Sequence, residues 1–302
     1  MFARYGLIFA TITALIVPEF VRAQVSVAER FAEGQPSVVI AHRSASLGGF
    51  PENSLAWVQS AIDHGVDMVH INPQLTADNQ YVLMHDNTLN RTTDVESVYA
   101  DGPPGGPTRE QRGGRDYVRD YTLEEIKRLQ LKDGEDGGMH PVPTLGEVLD
   151  LVGGRALVML GLKTYGIESL VAALEKHKTD NLLFFEVLYS DPTVLQDISS
   201  ATGIGAAISM GGSRDYLADL ERLVDGVGTG LTMICAQSQR LTSDFVARLD
   251  ELGIKLCISG WNGAEDSALV FKGDPGVWLA ALERGYAAST DIPDAVLGLL
   301  DR

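Results

Sequence analysis

The chain has 302 residues, 45% hydrophobic and 22% charged, with a formal net charge of −17. That composition fits one large globular domain or two small ones and excludes a low-complexity polymer. So acidic a chain, with no basic stripe to offset it, excludes nucleic acid as a partner, and an anionic ligand needs a local cationic pocket.

The first residues read as a targeting segment. Met1 to Tyr5 carries Arg4, Gly6 to Val17 is apolar but too short to span a bilayer, and Val21-Arg22-Ala23 puts small residues at −3 and −1 of a cleavage site. The expectation is a secretory signal peptide over residues 1–23, cut after Ala23. A single domain over 24–302 then resides in a periplasm or outside the cell. Arg4, Arg22 and Glu19 sum to +1, which leaves about −18 on the mature chain. No later stretch is long and apolar enough for a transmembrane segment.

Short apolar runs follow at Val38–Ala41, Val66–Ile71, Ala156–Leu160, Leu182–Leu188, Ile204–Ser209, Leu231–Ala236, Ile254–Ser259 and Tyr286–Ser289. They lack clean alternation, as strands buried on both faces do. Helical patterns lie between them, at Ser54–His64, Thr122–Leu131, Thr144–Val152, Ile167–His177, Pro192–Ala201, Asp215–Val224, Thr242–Leu252, Val277–Arg284 and Pro293–Leu300. Thr144-Leu145-Gly146-Glu147 is of capping-box type. Eight strands alternating with helices is the count for a (β/α)₈ TIM barrel. An open doubly wound sheet is the rival, weakened because no glycine-rich dinucleotide turn follows any strand. Tyr81–His85 is an extra short strand. After it, residues 95–119 form a loop insertion rich in Gly, Pro and Arg, expected over the C-terminal face as a lid, a binding flap or a solvated excursion.

Three runs release polar side chains at their C-terminal ends: His42-Arg43, His70-Ile71-Asn72 and His85-Asp86. Barrels build active sites there, and two histidines so presented suit general acid and base. Each also reads as a histidine that only satisfies local hydrogen bonds. Cys235 and Cys257 fall in strands, where a disulfide and two free core thiols both remain open. His64, His140 and His177 read as cap or solvated residues.

Taken together, Ile40-Ala41-His42-Arg43, Pro51-Glu52-Asn53-Ser54, Gln74-Leu75-Thr76, His85-Asp86-Asn87-Thr88-Leu89-Asn90-Arg91-Thr92-Thr93, Val142-Pro143-Thr144-Leu145-Gly146-Glu147 and Ser289-Thr290-Asp291-Ile292-Pro293 resemble the glycerophosphodiester phosphodiesterases. The resemblance implies a phosphodiesterase-type barrel and a hydrolase of glycerophosphodiesters or related lysophospholipids, in lipid and glycerol metabolism. It implies His42 and His85 as the acid/base pair and Arg43 and Lys163 as phosphate contacts. Trp261, after the seventh strand, is a candidate to stack on an apolar part of the substrate, or a core residue.

The chain departs from the family where the family holds a divalent cation. Its Glu-x-Asp pair is replaced by His70 and Asn72, and its third-strand Glu by Gly161. Hard cations want anionic oxygen ligands, so no metal is expected at His70, Asn72 and Gly161. Three readings of the loss follow. The barrel binds a phosphorylated or lipid-like ligand without cleaving it. Or it hydrolyses phosphodiesters without metal, with Arg43, Lys163 and His70 supplying positive charge. Or the site is rebuilt for a transition ion from His70, His42, His85 and Glu186, which needs an inward-facing Glu186.

Overall fold

Eight of the apolar runs become eight parallel strands in a computed structural model of the chain, which describes residues 24–43, 47–132, 134–187 and 192–302. The expected signal peptide, residues 1–23, lies outside the described residues. The strands are β1 (Val38–Ala41), β2 (Met68–Ile71), β3 (Leu157–Gly161), β4 (Leu182–Val187), β5 (Gly205–Ser209), β6 (Leu231–Ala236), β7 (Lys255–Ser259) and β8 (Ala287–Thr290). Each pairs with the next, and β8 closes on β1 with Val38 opposite Ala287. The expected TIM barrel is therefore formed.

Closure sorts the side chains by parity. Val38, Ile40, Met68, Leu157, Met159, Leu183, Ala207, Met233, Cys235, Cys257 and Ala287 pack together in the barrel interior. Their neighbours Val39, Ala41, Val69, Val158, Phe184, Ile208 and Ile258 join the layer against the helices. Cys235 and Cys257 are in register on β6 and β7, buried, and free rather than disulfide-bonded.

The helices sit largely where apolar periodicity puts them. Ser54 caps Leu55–Asp63 by accepting from the Trp57 amide, and Thr144 with Glu147 completes the expected capping box on Leu145–Val152. Such caps contribute about 1 kcal/mol each. Some elements differ from expectation. Only Leu123–Ile126 of the expected helix over 122–131 is helical, and Gln130–Leu131 pairs with His140–Pro141. Leu129 and Leu131 are both buried, a spacing that suits a strand better than a continuing helix. Helix Glu265–Lys272 is unanticipated, because two of its three buried residues, Glu265 and Asp266, are polar.

The excursion between β2 and β3 has a core of its own. Val82, Met84, Leu89, Val95, Val118, Tyr121 and Ile126 cluster there. The insertion over 95–119 contributes Val95 and Val118, near its two ends, to that core, while most residues between them are exposed. Asp116 fastens it: it is buried and accepts from Arg109 Nε (2.6 Å), Asn90 Nδ2 (2.7 Å) and the Tyr121 hydroxyl (2.6 Å).

Candidate active site

The inward parity of each strand, continued past its C-terminal end, brings the site together. From β1 it yields His42, from β2 His70 and Asn72, from β3 Gly161 and Lys163, from β7 Trp261 and from β8 Asp291. On β4 the inward place belongs to Phe185, whose ring lies 4.8 Å from that of His70. Glu186 has the parity of Phe184, which packs in the outer layer. The expectation of an inward Glu186 is thus corrected. A run buried on both faces gives no hint of parity, and the strand register decides it.

His42 is 4% exposed, and its Nδ1–H donates to Asp291 Oδ1 at 2.9 Å. Burial works against the Asp291 charge, but the His42 hydrogen bond and the nearby Arg43 hold its carboxyl below the usual range. Asp291 is fixed in turn by Asp266, which accepts from the Asp291 amide (2.8 Å), the Thr290 hydroxyl (2.6 Å) and the Trp278 indole (3.1 Å). Trp261 stacks on the His42 ring, 4.3 Å between centroids and 20° between planes. Its indole therefore fixes the imidazole on one side, while 36% of the residue stays exposed at the mouth.

His85 is built the same way. Its Nδ1–H donates to Asp86 Oδ1 at 2.8 Å. Arg91 grips Asp86 with Nε (2.6 Å) and Nη2 (3.2 Å) and reaches Glu52 at 2.6 Å. That grip is the main reason the Asp86 carboxyl titrates at about 2. Gln74 positions the turn by donating to the carbonyls of His85 (3.2 Å) and Asp86 (2.7 Å). Burial, Arg43 and Lys163 push the His85 pKa below its ordinary 6.5 against the opposing Asp86 bond. In both histidines the carboxylate fixes the proton on Nδ1 and leaves Nε2 for chemistry.

His70 lies between them. Its pKa is pushed well below 6.5, first by burial and then by His42, Lys163, His85 and Arg43, so these groups share one electrostatic pocket. His70 is held neutral and supplies no positive charge, which removes the role expected of it beside Arg43 and Lys163. His70 therefore sets a stability prediction. Between 6.5 and its lower folded value, the unfolded chain binds the extra proton, so stability falls as pH falls through that window. Urea unfolding at pH 7.5 and 5.5 is expected to show a larger acid loss for the wild type than for His70→Gln. Because only the span from 6.5 down to 5.5 counts in this comparison, the His70 contribution to that difference is at most about 1.4 kcal/mol.

The family's divalent cation does not fit here. The anionic pair of β2 is a neutral imidazole and an amide, and Asn72 donates from Nδ2 to His70 Nε2 at 3.4 Å. On β3, a Cβ added to Gly161 would stand 2.4 Å from both Asn72 Nδ2 and His70 Nε2. The two side chains occupy the room a third-strand carboxylate needs. One buried acceptor, Asn72 Oδ1, lacks a partner, but a single neutral carbonyl is a poor donor set for a hard cation. Among the described residues no three His, Cys, Asp or Glu side chains are grouped to hold an ion, and that includes the rebuilt site expected of His42, His70, His85 and Glu186.

The sequence reading assigned no roles to Asp291, Asp266 and Arg91, and it left Gln74 as part of a motif. A signal for Asp291 exists: it lies two residues after Ser289, in the same parity, at the end of an expected strand.

Fold and mouth together define a (β/α)₈ barrel of the phosphodiesterase type. The chain belongs to the glycerophosphoryl diester phosphodiesterase family, whose model matches residues 42–201, more than half of it. It is 36% identical over 121 residues to the glycerophosphodiester phosphodiesterase of Caldanaerobacter subterraneus subsp. tengcongensis, 39% of this chain and 42% of that one. It is 32% identical over 156 residues to that of Bacillus subtilis, 47% of this chain and 46% of that one. These matches span less than half the length of either relative. Among solved structures, a glycerophosphoryl diester phosphodiesterase from Parabacteroides distasonis shares the fold, with TM-score 0.68, 20% identity and 89% and 88% of the two chains covered. So does an Oleispira antarctica phosphodiesterase in complex with the product sn-glycerol-3-phosphate, with TM-score 0.62, 22% identity and 88% and 97% covered.

Proposed function

We propose that this chain is an exported hydrolase in lipid metabolism that cleaves glycerophosphodiesters to an alcohol and glycerol phosphate, or related lysophospholipids to an alcohol and an acylglycerol phosphate. The observation that carries this is the pair of carboxylate-backed histidines, His42–Asp291 and His85–Asp86, beside Arg43 and Lys163. Family membership supports it.

The chemistry follows from proton bookkeeping. His85, with its depressed pKa, is neutral near pH 7 and serves as the base. Its Nε2 takes a proton from water as the oxygen attacks phosphorus, or from a hydroxyl of the substrate itself, in which case a cyclic phosphate forms that water then opens to glycerol phosphate. His42 serves as the acid. Its Nε2 gives a proton to the departing alkoxide, while the Asp291 carboxylate holds the ring in place through Nδ1. Arg43 and Lys163 face the equatorial phosphate oxygens, where negative charge develops. Arg43 reaches Glu52 only at 3.8 Å and keeps a buried Nε without a partner, a donor suited to a phosphate oxygen.

The test is release of glycerol phosphate from glycerophosphocholine, and of lysophosphatidate from a lysophospholipid, by the purified chain, followed across pH. Turnover is expected, with the acid limb of kcat/KM below pH 6.5 because His85 protonates only there. Absence of turnover with retained binding of glycerol phosphate overturns the hydrolase and leaves a barrel that binds a phosphorylated or lipid-like ligand.

A further inference from the structure

Beside His85 the mouth opens into a cavity of about 600 Å³ whose lining includes Gln74, Asn87, Arg115, Lys163 and Thr164. Its charge is unusual for this chain. Asp86 also lines it, but that carboxylate is engaged by Arg91 and His85. Arg115 and Lys163 form no ion pair with a described carboxylate. A chain of net charge −17 thus keeps, among the described residues, two cations without an ion-pair partner in one concavity next to a catalytic candidate.

Arg115 is also held in place. It comes from the insertion over 95–119, and the backbone on either side of it is stitched to the turn that carries His85. The Leu89 amide donates to Asp116 O (2.8 Å), the Val118 amide to Asn87 O (3.0 Å) and the Asp116 amide to Asn90 Oδ1 (2.8 Å). Thr88 and Tyr117 form an antiparallel bridge. The neighbouring arginines of the insertion are occupied: Arg109 pairs with Asp116, and Arg112 pairs with Asp120. Arg115 is placed in the cavity with its charge unspent.

A phosphodiester has two arms. Because His85 itself lines the cavity, a phosphate placed between His42 and His85 would leave one arm beside it. We propose that the cavity is the subsite for the arm with the distinguishing headgroup, and that Arg115 selects headgroups carrying a second anionic group, such as a phosphate monoester. Such a group meets Arg115 directly, with Lys163 shared between it and the scissile phosphate. A cationic headgroup is disfavoured by the same two charges. The assignment rests on the proposed phosphodiester hydrolysis.

The test compares glycerophosphoinositol 4-phosphate with glycerophosphoinositol, which differ by one phosphate, and with glycerophosphocholine. The wild type is expected to favour the first over the second by about 10-fold or more in kcat/KM, the scale of one charged contact. Arg115→Ala is expected to collapse that ratio to near unity and Arg115→Glu to invert it. Arg119→Ala, which removes an exposed charge of the same insertion outside the cavity, is expected to keep the ratio. Equal rates on the matched pair, or a ratio that survives Arg115→Glu, overturns the subsite while leaving the hydrolase intact. Loss of the ratio in Arg119→Ala as well overturns it too, since the effect is then the overall field. No turnover of any of the three strikes instead at the hydrolase on which the subsite rests.

Discussion

Replacing His42 or His85 with alanine is expected to lower kcat on glycerophosphodiesters by about 10²- to 10⁴-fold each, the usual contribution of a positioned acid or base. The two losses should not multiply in the double variant, because acid and base act in one proton relay. Asp291→Asn is the sharper probe. It keeps the shape of the His42 environment but removes the carboxylate that fixes Nδ1–H and the ring orientation. In a serine-protease triad the corresponding change costs about 10⁴-fold in kcat. Here Asp291 is at the rim, with a side chain 46% exposed, so a loss nearer 10²-fold is expected, with KM little changed. The proposed phosphate contacts, Arg43 and Lys163, are left in place by these variants. Thermal unfolding of each variant separates a catalytic loss from a folding one. If His42→Ala keeps wild-type kcat in a folded chain, the acid/base assignment fails.

The sequence makes some of this site legible and hides the rest, for a geometric reason. His42 and Lys163 sit one inward parity step beyond the barrel strands that carry them, so a reader who locates the strands has found the residues. His70 lies within β2 itself and Asn72 just beyond it, in the same parity. His85 follows a short strand outside the barrel, and its own turn and motif expose it. Their partners are contacts between distant segments. Asp291 lies 249 positions from His42 and becomes its partner only when β8 closes on β1. Arg91 reaches Glu52 across 39 positions, and neither residue lies in a strand. The Glu186 expectation failed from the opposite cause, since Leu182–Val187 is apolar throughout its inner part and offers no alternation to count. Trp261 was legible as a mouth residue. Its stacking on His42, which gives it a positioning role on the imidazole, depends on the short turn Gly260–Asn262.

Hydrolysis is expected to continue undiminished in excess EDTA and to gain less than about twofold from added Ca²⁺, Mg²⁺ or Zn²⁺. The argument rests on donor chemistry. Where a hard cation needs carboxylates, this chain offers an imidazole held neutral, an amide and a glycine. The replacement is also coupled in space. Restoring one carboxylate at Gly161 does not restore a site, because even its Cβ meets His70 and Asn72 at 2.4 Å. Gly161→Glu alone is expected to destabilise the barrel by about 1–3 kcal/mol through overpacking, more if the new carboxylate is buried uncompensated, and to leave activity metal-independent. The triple change Gly161→Glu, His70→Glu, Asn72→Asp removes the obstructing side chains together with their chemistry. It is expected to bind Ca²⁺ or Mg²⁺ by calorimetry where the wild type binds neither, and to require it, since three clustered carboxylates without a cation repel the substrate phosphate. Wild-type activity that disappears in EDTA and returns with a divalent ion would sink this account, because a cation would then be held by residues other than the β2 and β3 positions. A wild type silent with and without metal, alongside a triple variant active with it, would identify the loss of the carboxylates as the loss of catalysis itself.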